Sequence, residues 1–210
     1  MIELVTTDGV FRLDGGEWDV TNNIWLVGDD REVIVIDAAH DASPIVEAVR
    51  GRRVAAIALT HGHNDHINAA VALQDAVDAP ILLHPADRMF WHDVYPDRDP
   101  DRELAEGDAL RAGGIELGVL HTPGHSPGGC CFVHGDVGHV FSGDTLFCGG
   151  PGATGRSHSD QPTILASIRA RLLTLPPETV VHTGHGESTT VAAESPLIDE
   201  LLRESGAGAS

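Results

Sequence analysis

Short apolar runs rich in Val and Ile, punctuated by Gly, Asp and Pro, dominate the first sixty positions and predict strands at residues 10–13, 23–27, 33–37 and 54–59. A helix is expected over 43–50, with Ser43 as its cap and Pro44 in its first turn. A second helix spans 67–77 and ends before Pro80. Residues 81–84 read as a further strand, 85–94 as a short helix, and the Asp- and Pro-rich stretch 93–106 as a loop. From there the pattern shifts to short strands at 109–112, 115–121, 130–134 and 138–142, with glycine-containing turns between them. Residues 147–160 are Gly-rich and without a period. An amphipathic helix at 161–173 lines up Ile164, Leu165, Ile168 and Leu172; a strand at 179–182 and a helix at 196–204 follow. Helices alternating with buried strands, then a run of short strands, predict one α/β domain over 1–205 with two mixed sheets and helices outside them. Residues 206–210 read as a frayed tail.

The chain of 210 residues is 41% apolar, with 24 Gly besides, which is enough for a sizeable core. All 13 basic residues are Arg and stand against 32 acidic ones, a formal charge of −19. Without Lys there is no Schiff-base or P-loop chemistry. A surface this negative repels a phosphate backbone, so nucleic acid is not an expected partner. No apolar run approaches a membrane span, and the start has no basic and apolar leader; a cytoplasmic protein without membrane association is expected. The three cysteines include the neighbours Cys130 and Cys131, and none forms a CxxC, so idle reduced thiols are expected rather than disulfides or a thiolate metal site.

The chemistry lies in the histidines, 13 of them. His61-Gly62-His63-Asn64-Asp65-His66 follows a buried strand and opens a helix, placing four potential ligands on one short loop. At this chain's own His and Asp frequencies, HxHxDH arises by chance on the order of 0.005 times. Imidazole and carboxylate together suit zinc, iron or manganese. Three further candidates stand among glycines at later strand ends: His125 in TPGHSPG, Asp144 in SGDTLF and His185 in HTGHGES. Five His and two Asp are too many for one tetrahedral ion, and two metals with one bridging carboxylate fit better. Such a pair brings the pKa of water between the ions towards neutrality and polarises a carbonyl, so hydrolysis by a metal-bridging hydroxide follows without a serine or cysteine nucleophile. Asp65 or Asp144, already a ligand, is placed to steer the hydroxide proton.

These residues resemble the signature of the metallo-β-lactamase superfamily, HxHxDH followed by a separate His, a bridging Asp and a last His, and most of all its glyoxalase II branch. The resemblance runs from about Asn23 to His185. It implies a four-layer αββα sandwich, with His61, His63 and His125 on one metal, Asp65, His66 and His185 on the other, and Asp144 between them. It implies two divalent ions, zinc first, with iron or manganese also admissible, and Asp37 and Thr60 as supports that orient the ligands. The implied activity is hydrolysis of a small-thiol thioester; a lactone or ester hydrolase, and a mononuclear-iron persulfide dioxygenase, are the alternatives. The implied partner is a small-molecule thioester or ester, and a homodimer is left open.

The loop after Asp144 is where the family places substrate contacts, which makes Arg156 a candidate for an anionic substrate group and His158 a second contact. Met89, Phe90, Trp91 and Tyr95 are expected either to wall a pocket or to pack on the core, and Trp25 to join the core. The other histidines, His40, His84, His92, His121, His134, His139 and His182, match no ligand position and are expected at the surface or in turns. The chain departs from the longer glyoxalase II enzymes in three ways: it stops before their glutathione-gripping helical domain, Ala153 stands where they have a basic residue, and Glu187 where they have a tyrosine. These departures point away from glutathione as the carrier. The persulfide dioxygenase segment is matched only in part by Gly155-Arg156-Ser157-His158-Ser159.

Overall fold

The structure, a computed structural model, describes residues 1–205; the expected tail at 206–210 lies outside the described residues. It opens with a long hairpin, β1 (Ile2–Leu13) and β2 (Gly16–Gly28), followed by β3 (Glu32–Ile36), α1 (Ala42–Val49) and β4 (Arg53–Ala58). Next come α2 (Asn64–Ile67), α3 (Ala70–Val77), β5 (Ile81–Leu83), a 3-10 turn (Pro85–Asp87), α4 (Arg88–Val94) and β6 (Arg102–Glu103). The second half holds β7 (Ala109–Ala112), β8 (Ile115–His121), β9 (Cys130–His134), β10 (His139–Gly143), β11 (Leu146–Phe147) and β12 (Gly150–Pro151). It ends with α5 (Gln161–Ser167), β13 (Val180–Thr183), β14 (Thr189–Thr190) and α6 (Val191–Glu204).

One sheet runs β1-β2-β3-β4-β5-β6, antiparallel at the hairpin end and parallel from β3 onward; the other runs β14-β13-β10-β9-β8-β7. The period of two in each strand sorts side chains into layers. In β3, Val33 and Val35 pack outward with Ile45 and Val49 of α1 and Leu73 of α3, while Ile34 and Ile36 face inward onto Leu117, Val119, Phe132 and Phe141 of the second sheet. On that sheet's far side, Cys131, Val140 and Val181 meet Ile164 and Leu165 of α5 and Ile198 and Leu202 of α6. The result is the expected four layers, helix, sheet, sheet, helix. Cys130 and Cys131 fall on opposite faces of β9, and burial pushes both thiols up, that of Cys131 to about 11, so they stay protonated and inert. Among the described residues no helix is long and apolar enough to cross a membrane.

Several boundaries differ from the sequence reading, each for a physical reason. The first strand begins at Ile2 rather than residue 10, because Glu3 and the run Thr6-Thr7-Asp8-Gly9 break up the apolar residues there and leave no regular alternation. The arms join through Asp14 and Gly15, both at positive φ (53° and 76°), the two-residue turn whose twist matches that of the strands. The cap of α1 is Asp41, whose side chain accepts from the Ser43 amide, not Ser43 itself. The helix expected over 67–77 is two helices. Asn68 turns its amide oxygen to the His40 backbone N–H, and the Ala69 N–H bonds to Ala38 O instead of continuing the helix. The stretch 93–106 carries the edge strand β6, and α5 gives way to a π turn at Ile168–Leu172. Thr190 caps α6, which begins at Val191, five residues before the expected start, leaving Pro196 inside the helix.

His182 is buried, contrary to expectation. It lies between Trp25 (4.4 Å between ring centroids) and Phe141 (4.8 Å), with Nε2 3.0 Å from His139 Nδ1. Burial, helped by His139, pushes its pKa down to about 4. The unfolded chain takes up this proton near pH 6.5 and the folded one does not, so stability falls as pH drops from about 6.5 to about 4 and is flat in this respect outside that window. Replacing His182 with Phe should remove this part of the pH dependence. Urea melts of both proteins between pH 4 and 7 measure it, and parallel curves would refute it.

Candidate active site

All seven candidate ligands stand beyond the C-terminal ends of strands, on loops at one edge of the sandwich. His61 and His63 follow β4, Asp65 and His66 lie in α2, His125 is in the β8–β9 loop, Asp144 follows β10 and His185 follows β13. Three donor groups result, each with its ligand atoms within 4.8 Å of one another: His61, His63 and His125; His61, His66 and Asp144; Asp65, His66 and His185. His63 Nδ1 is 3.0 Å from both His61 Nε2 and His125 Nε2. His66 Nε2 is 3.2 Å from His185 Nε2 and 3.3 Å from Asp144 Oδ1, and Asp144 Oδ2 is 3.6 Å from His125 Nε2. Asp144 therefore touches both halves. Close approach at the last loop depends on Gly184, where a Cβ would lie 2.3 Å from Asp144 Oδ1.

The far nitrogens decide what the near ones offer. His61 Nδ1 is 3.1 Å from Thr60 Oγ1, His66 Nδ1 2.9 Å from Asp37 Oδ2, His125 Nδ1 2.8 Å from Ala153 O and His185 Nδ1 2.7 Å from Thr21 O. Two of these acceptors are backbone carbonyls and one a carboxylate. Thr60 Oγ1 turns its own proton to Asp37 (2.9 Å), leaving a lone pair for His61. Each of these four rings thus donates outward from Nδ1, so that in its neutral form a bare Nε2 faces the centre, the form in which imidazole ligates metal. Asp37 also accepts the Thr60 backbone N–H at 2.7 Å; it is buried, at the positive φ of 64°, and serves His66 directly and His61 through Thr60.

Electrostatics separate the two halves. Burial, reinforced by neighbouring imidazoles, drives His61 well below the usual histidine range and His63 down to about 3. Burial also opposes charge on His66 and His185, yet Asp144 and Asp65 outweigh it, raising His66 and taking His185 to about 10. Asp144 is likewise held well below the usual carboxylate range: burial opposes its charge, and His66 and His185 more than offset that. Buried ligand residues hold polar atoms with no hydrogen-bond partner, His63 Nε2, Asp65 Oδ1 and Asp144 Oδ1. Ring nitrogens converging on one centre, beside orphaned buried carboxylate oxygens, are what divalent cations satisfy, so the residues present fit two such ions.

A cleft of about 280 Å³ opens onto the ligands, walled by Phe11, Trp18 and Val20 of the hairpin and by Phe147. Arg156 lines it, its guanidinium 3.8 Å from the Trp18 ring centroid and 5.6 Å from that of Phe11. His158 is exposed and meets the edge of Phe90 (5.5 Å) without lining the cleft. The aromatic stretch divides. Phe90 packs on His63 (4.8 Å), whereas Trp91 is buried in the outer core with Tyr95 against it. Trp25 is buried as expected and also donates Nε1–H to Thr183 O.

Sequence reasoning missed two supports. Asp87, buried at the end of the 3-10 turn, accepts from Gly62 N (2.8 Å), Gly128 N (2.5 Å) and Ser126 Oγ (2.7 Å), pinning the His61–His63 loop to the loop of His125. Asn23 donates from Nδ2 to Thr183 O and Gly186 O, on either side of His185. An isolated Asp or Asn in a polar stretch carries no period, and its partners are remote in sequence, so no signal marked either one.

The model of the metallo-beta-lactamase superfamily matches residues 18–185. A probable metallo-hydrolase of Bacillus subtilis, YqgX, is 36% identical over 82% of this chain and 88% of its own. Hydroxyacylglutathione hydrolase GloC of Haemophilus influenzae is 31% identical over 81% of this chain and 87% of its own. Among solved structures, that of TTHA1623 in a di-iron-bound form superposes with a TM-score of 0.75 at 36% identity, covering 84% of this chain and 93% of that one. The BLEG-1 B3 metallo-beta-lactamase does so with 0.77 at 29%, covering 90% and 97%. Four layers with every ligand loop at one edge, a family match that spans those loops, and relatives aligned over most of their length place this chain in the metallo-β-lactamase superfamily, whose members are mostly hydrolases that bind divalent metals.

Proposed function

We propose that the protein hydrolyses the thioester of a small thiol, in the manner of glyoxalase II, with two divalent metal ions. The observation that carries this reading is the double set of donors, oriented from behind and opening onto a small cleft of about 280 Å³. His61, His63 and His125 would hold one ion, Asp65, His66 and His185 the other, and Asp144 would stand between them. Bound divalent ions supply acidified water at neutral pH and polarise a carbonyl. Zinc suits these donors, and iron is admissible, as the di-iron form of TTHA1623 illustrates for that relative. That relatives include a hydroxyacylglutathione hydrolase, GloC, and a probable metallo-hydrolase, YqgX, supports hydrolysis, and GloC supports a thioester.

The chain's own residues divide the work. The buried Asp65 Oδ1, which has no partner, is placed to accept a proton from attacking water, while Asp144 reaches both halves and orients the attack. Phe11, Trp18 and Phe147 keep bulk water from the carbonyl. Arg156, stacked on Trp18, keeps its in-plane N–H groups available for a carboxylate on the acyl group or the thiol. A lactone or ester meets the same geometry. The mononuclear dioxygenase alternative is disfavoured by the second complete donor set, Asp65, His66 and His185.

Activity on S-lactoyl and S-formyl thiols should vanish on chelation and return with zinc. His63→Ala and Asp144→Ala should each lower kcat/KM by about 10³-fold or more, the scale on which losing a group that stabilises the transition state is felt. Thioester turnover that survives Asp144→Ala would overturn the mechanism. Oxygen uptake on a persulfide, with no thioester turnover, would favour the dioxygenase instead. Arg156→Ala should raise KM about 10-fold for thioesters bearing a carboxylate and leave it unchanged for uncharged ones; equal effects on both series would remove Arg156 from substrate recognition.

A further inference from the structure

Behind the Asp65, His66 and His185 half stands a directed chain of side chains that the ligand motif does not include. It starts from a backbone group. The His40 backbone N–H donates to Asn68 Oδ1 at 2.6 Å, which fixes the orientation of that amide and turns Asn68 Nδ2 towards His40 Nδ1, 3.2 Å away. Since the Asn68 NH2 can only donate, His40 Nδ1 must accept, and the ring proton sits on Nε2. His40 Nε2 lies 2.8 Å from Asn22 Oδ1 and donates to it. The remaining face of Asn22, its Nδ2, is thereby aimed into the site, 3.2 Å from Asp65 Oδ2, 3.3 Å from His66 Nε2 and 3.5 Å from His185 Nε2. Asn22 is fully buried, so its amide has no water to turn to.

The path is sterically built as well. His40 holds a left-handed backbone, φ 59°, that brings its ring over the hairpin, and a Cβ at Gly9 would lie 2.1 Å from His40 Nδ1. Such a conformation is unfavourable for a non-glycine residue and persists where surrounding contacts impose it. The three ligands that Asn22 touches come from α2 and from the loop after β13, 119 residues apart in the case of His66 and His185. One amide on the hairpin spans that gap.

We propose that Asn22 and His40 are positioning residues that set the cation affinity of the Asp65, His66 and His185 half, leaving the His61, His63 and His125 half untouched. Asn22 holds the Asp65 carboxylate in its ligating orientation, and His40 keeps the amide from flipping its oxygen towards that carboxylate, which would repel it. The inference rests on the two-metal reading of the site but not on the identity of the substrate.

The test is zinc binding to the full chain in competition with a chromophoric chelator, with cobalt absorption spectra as a second signature. His185→Ala identifies which of the two zinc classes belongs to this half. Asn22→Leu and His40→Ala should each weaken that class about 10- to 100-fold, the usual cost of losing an outer partner of a metal ligand, and leave the other class unchanged. His40→Gln, whose amide can still donate to Asn22 Oδ1, should restore most of the loss. Thermal melts of the metal-free variants check folding, and the Gln rescue does not depend on Asn22→Leu folding. Both zinc classes unchanged in His40→Ala, or both weakened alike, would overturn the proposal. A wild-type chain that takes up no zinc or cobalt would instead overturn the two-metal reading itself.

Discussion

Crowding of like lone pairs governs this molecule. Five imidazoles and two carboxylates are gathered so closely that ligand nitrogens face one another at 3.0 and 3.2 Å. The cluster holds itself together only in part: Asp65 and Asp144 attract His66 and His185, but the imidazoles of His61, His63 and His125 crowd one another, and burial opposes every charge in the group. The rest of the architecture therefore supplies the restraint from behind. Asp37 is the clearest case. One buried carboxylate takes the Thr60 amide, the Thr60 hydroxyl and the His66 ring proton, and so fixes the loop after β4 and a ligand in α2 with a single group. The left-handed conformation of Asp37 is the local cost of that reach.

The same demand explains why a long hairpin lies across the site. β1 and β2 pair over twelve positions, yet only β2 borders the rest of the sheet. The hairpin's return comes from its bonds to the ligand loops: Thr21 O to His185, Val10 O to the Asn64 amide, the Arg12 N–H to Asn64 Oδ1, and Thr7 Oγ1 to Ala39 O. The turn is tied as well, since Asp14 accepts the Ser157 N–H of the loop that carries Arg156. A strand pair rigidified by its own ladder is a better clamp than a loop, because its backbone carbonyls cannot drift independently. Asp87 does for the first and second ligand loops what the hairpin does for the last.

What is legible in the sequence follows from how local each determinant is. His61, His63, Asp65 and His66 fall within six residues after an apolar strand, so spacing alone groups them. The buried strands announce themselves because both faces of β3 and β4 are covered, giving continuous Val, Ile and Ala runs. The start of the hairpin's outer arm is hidden for the opposite reason, since it is partly solvent-facing and Glu3, Thr6, Thr7 and Asp8 interrupt its apolar residues. Asn22, His40 and Asp87 are illegible in a different sense. Each acts on partners 18 or more residues away, through one or two side-chain polar atoms, and nothing in its own neighbourhood separates it from an ordinary turn residue. His40 in particular reads as a turn histidine from its neighbours and becomes a link only when Gly9 makes room for its ring.

The charge of the chain bears on how such a site selects what enters it. A formal charge of −19 attracts divalent cations and repels anions, but at physiological salt this field is screened within about 8 Å. Long-range steering therefore contributes little to drawing in an anionic substrate, and whatever attraction exists must act at contact. The cleft concentrates that attraction. The Arg156 guanidinium, 3.8 Å from the Trp18 ring centroid, lines the same small cleft as the donor cluster, with Phe11, Trp18 and Phe147 as its apolar walls. Under the proposed function, contact attraction of this kind would depend on the distance between an anionic group near Arg156 and a carbonyl at the donor cluster, because the cleft is bordered by both. Substrate length would then count as much as charge.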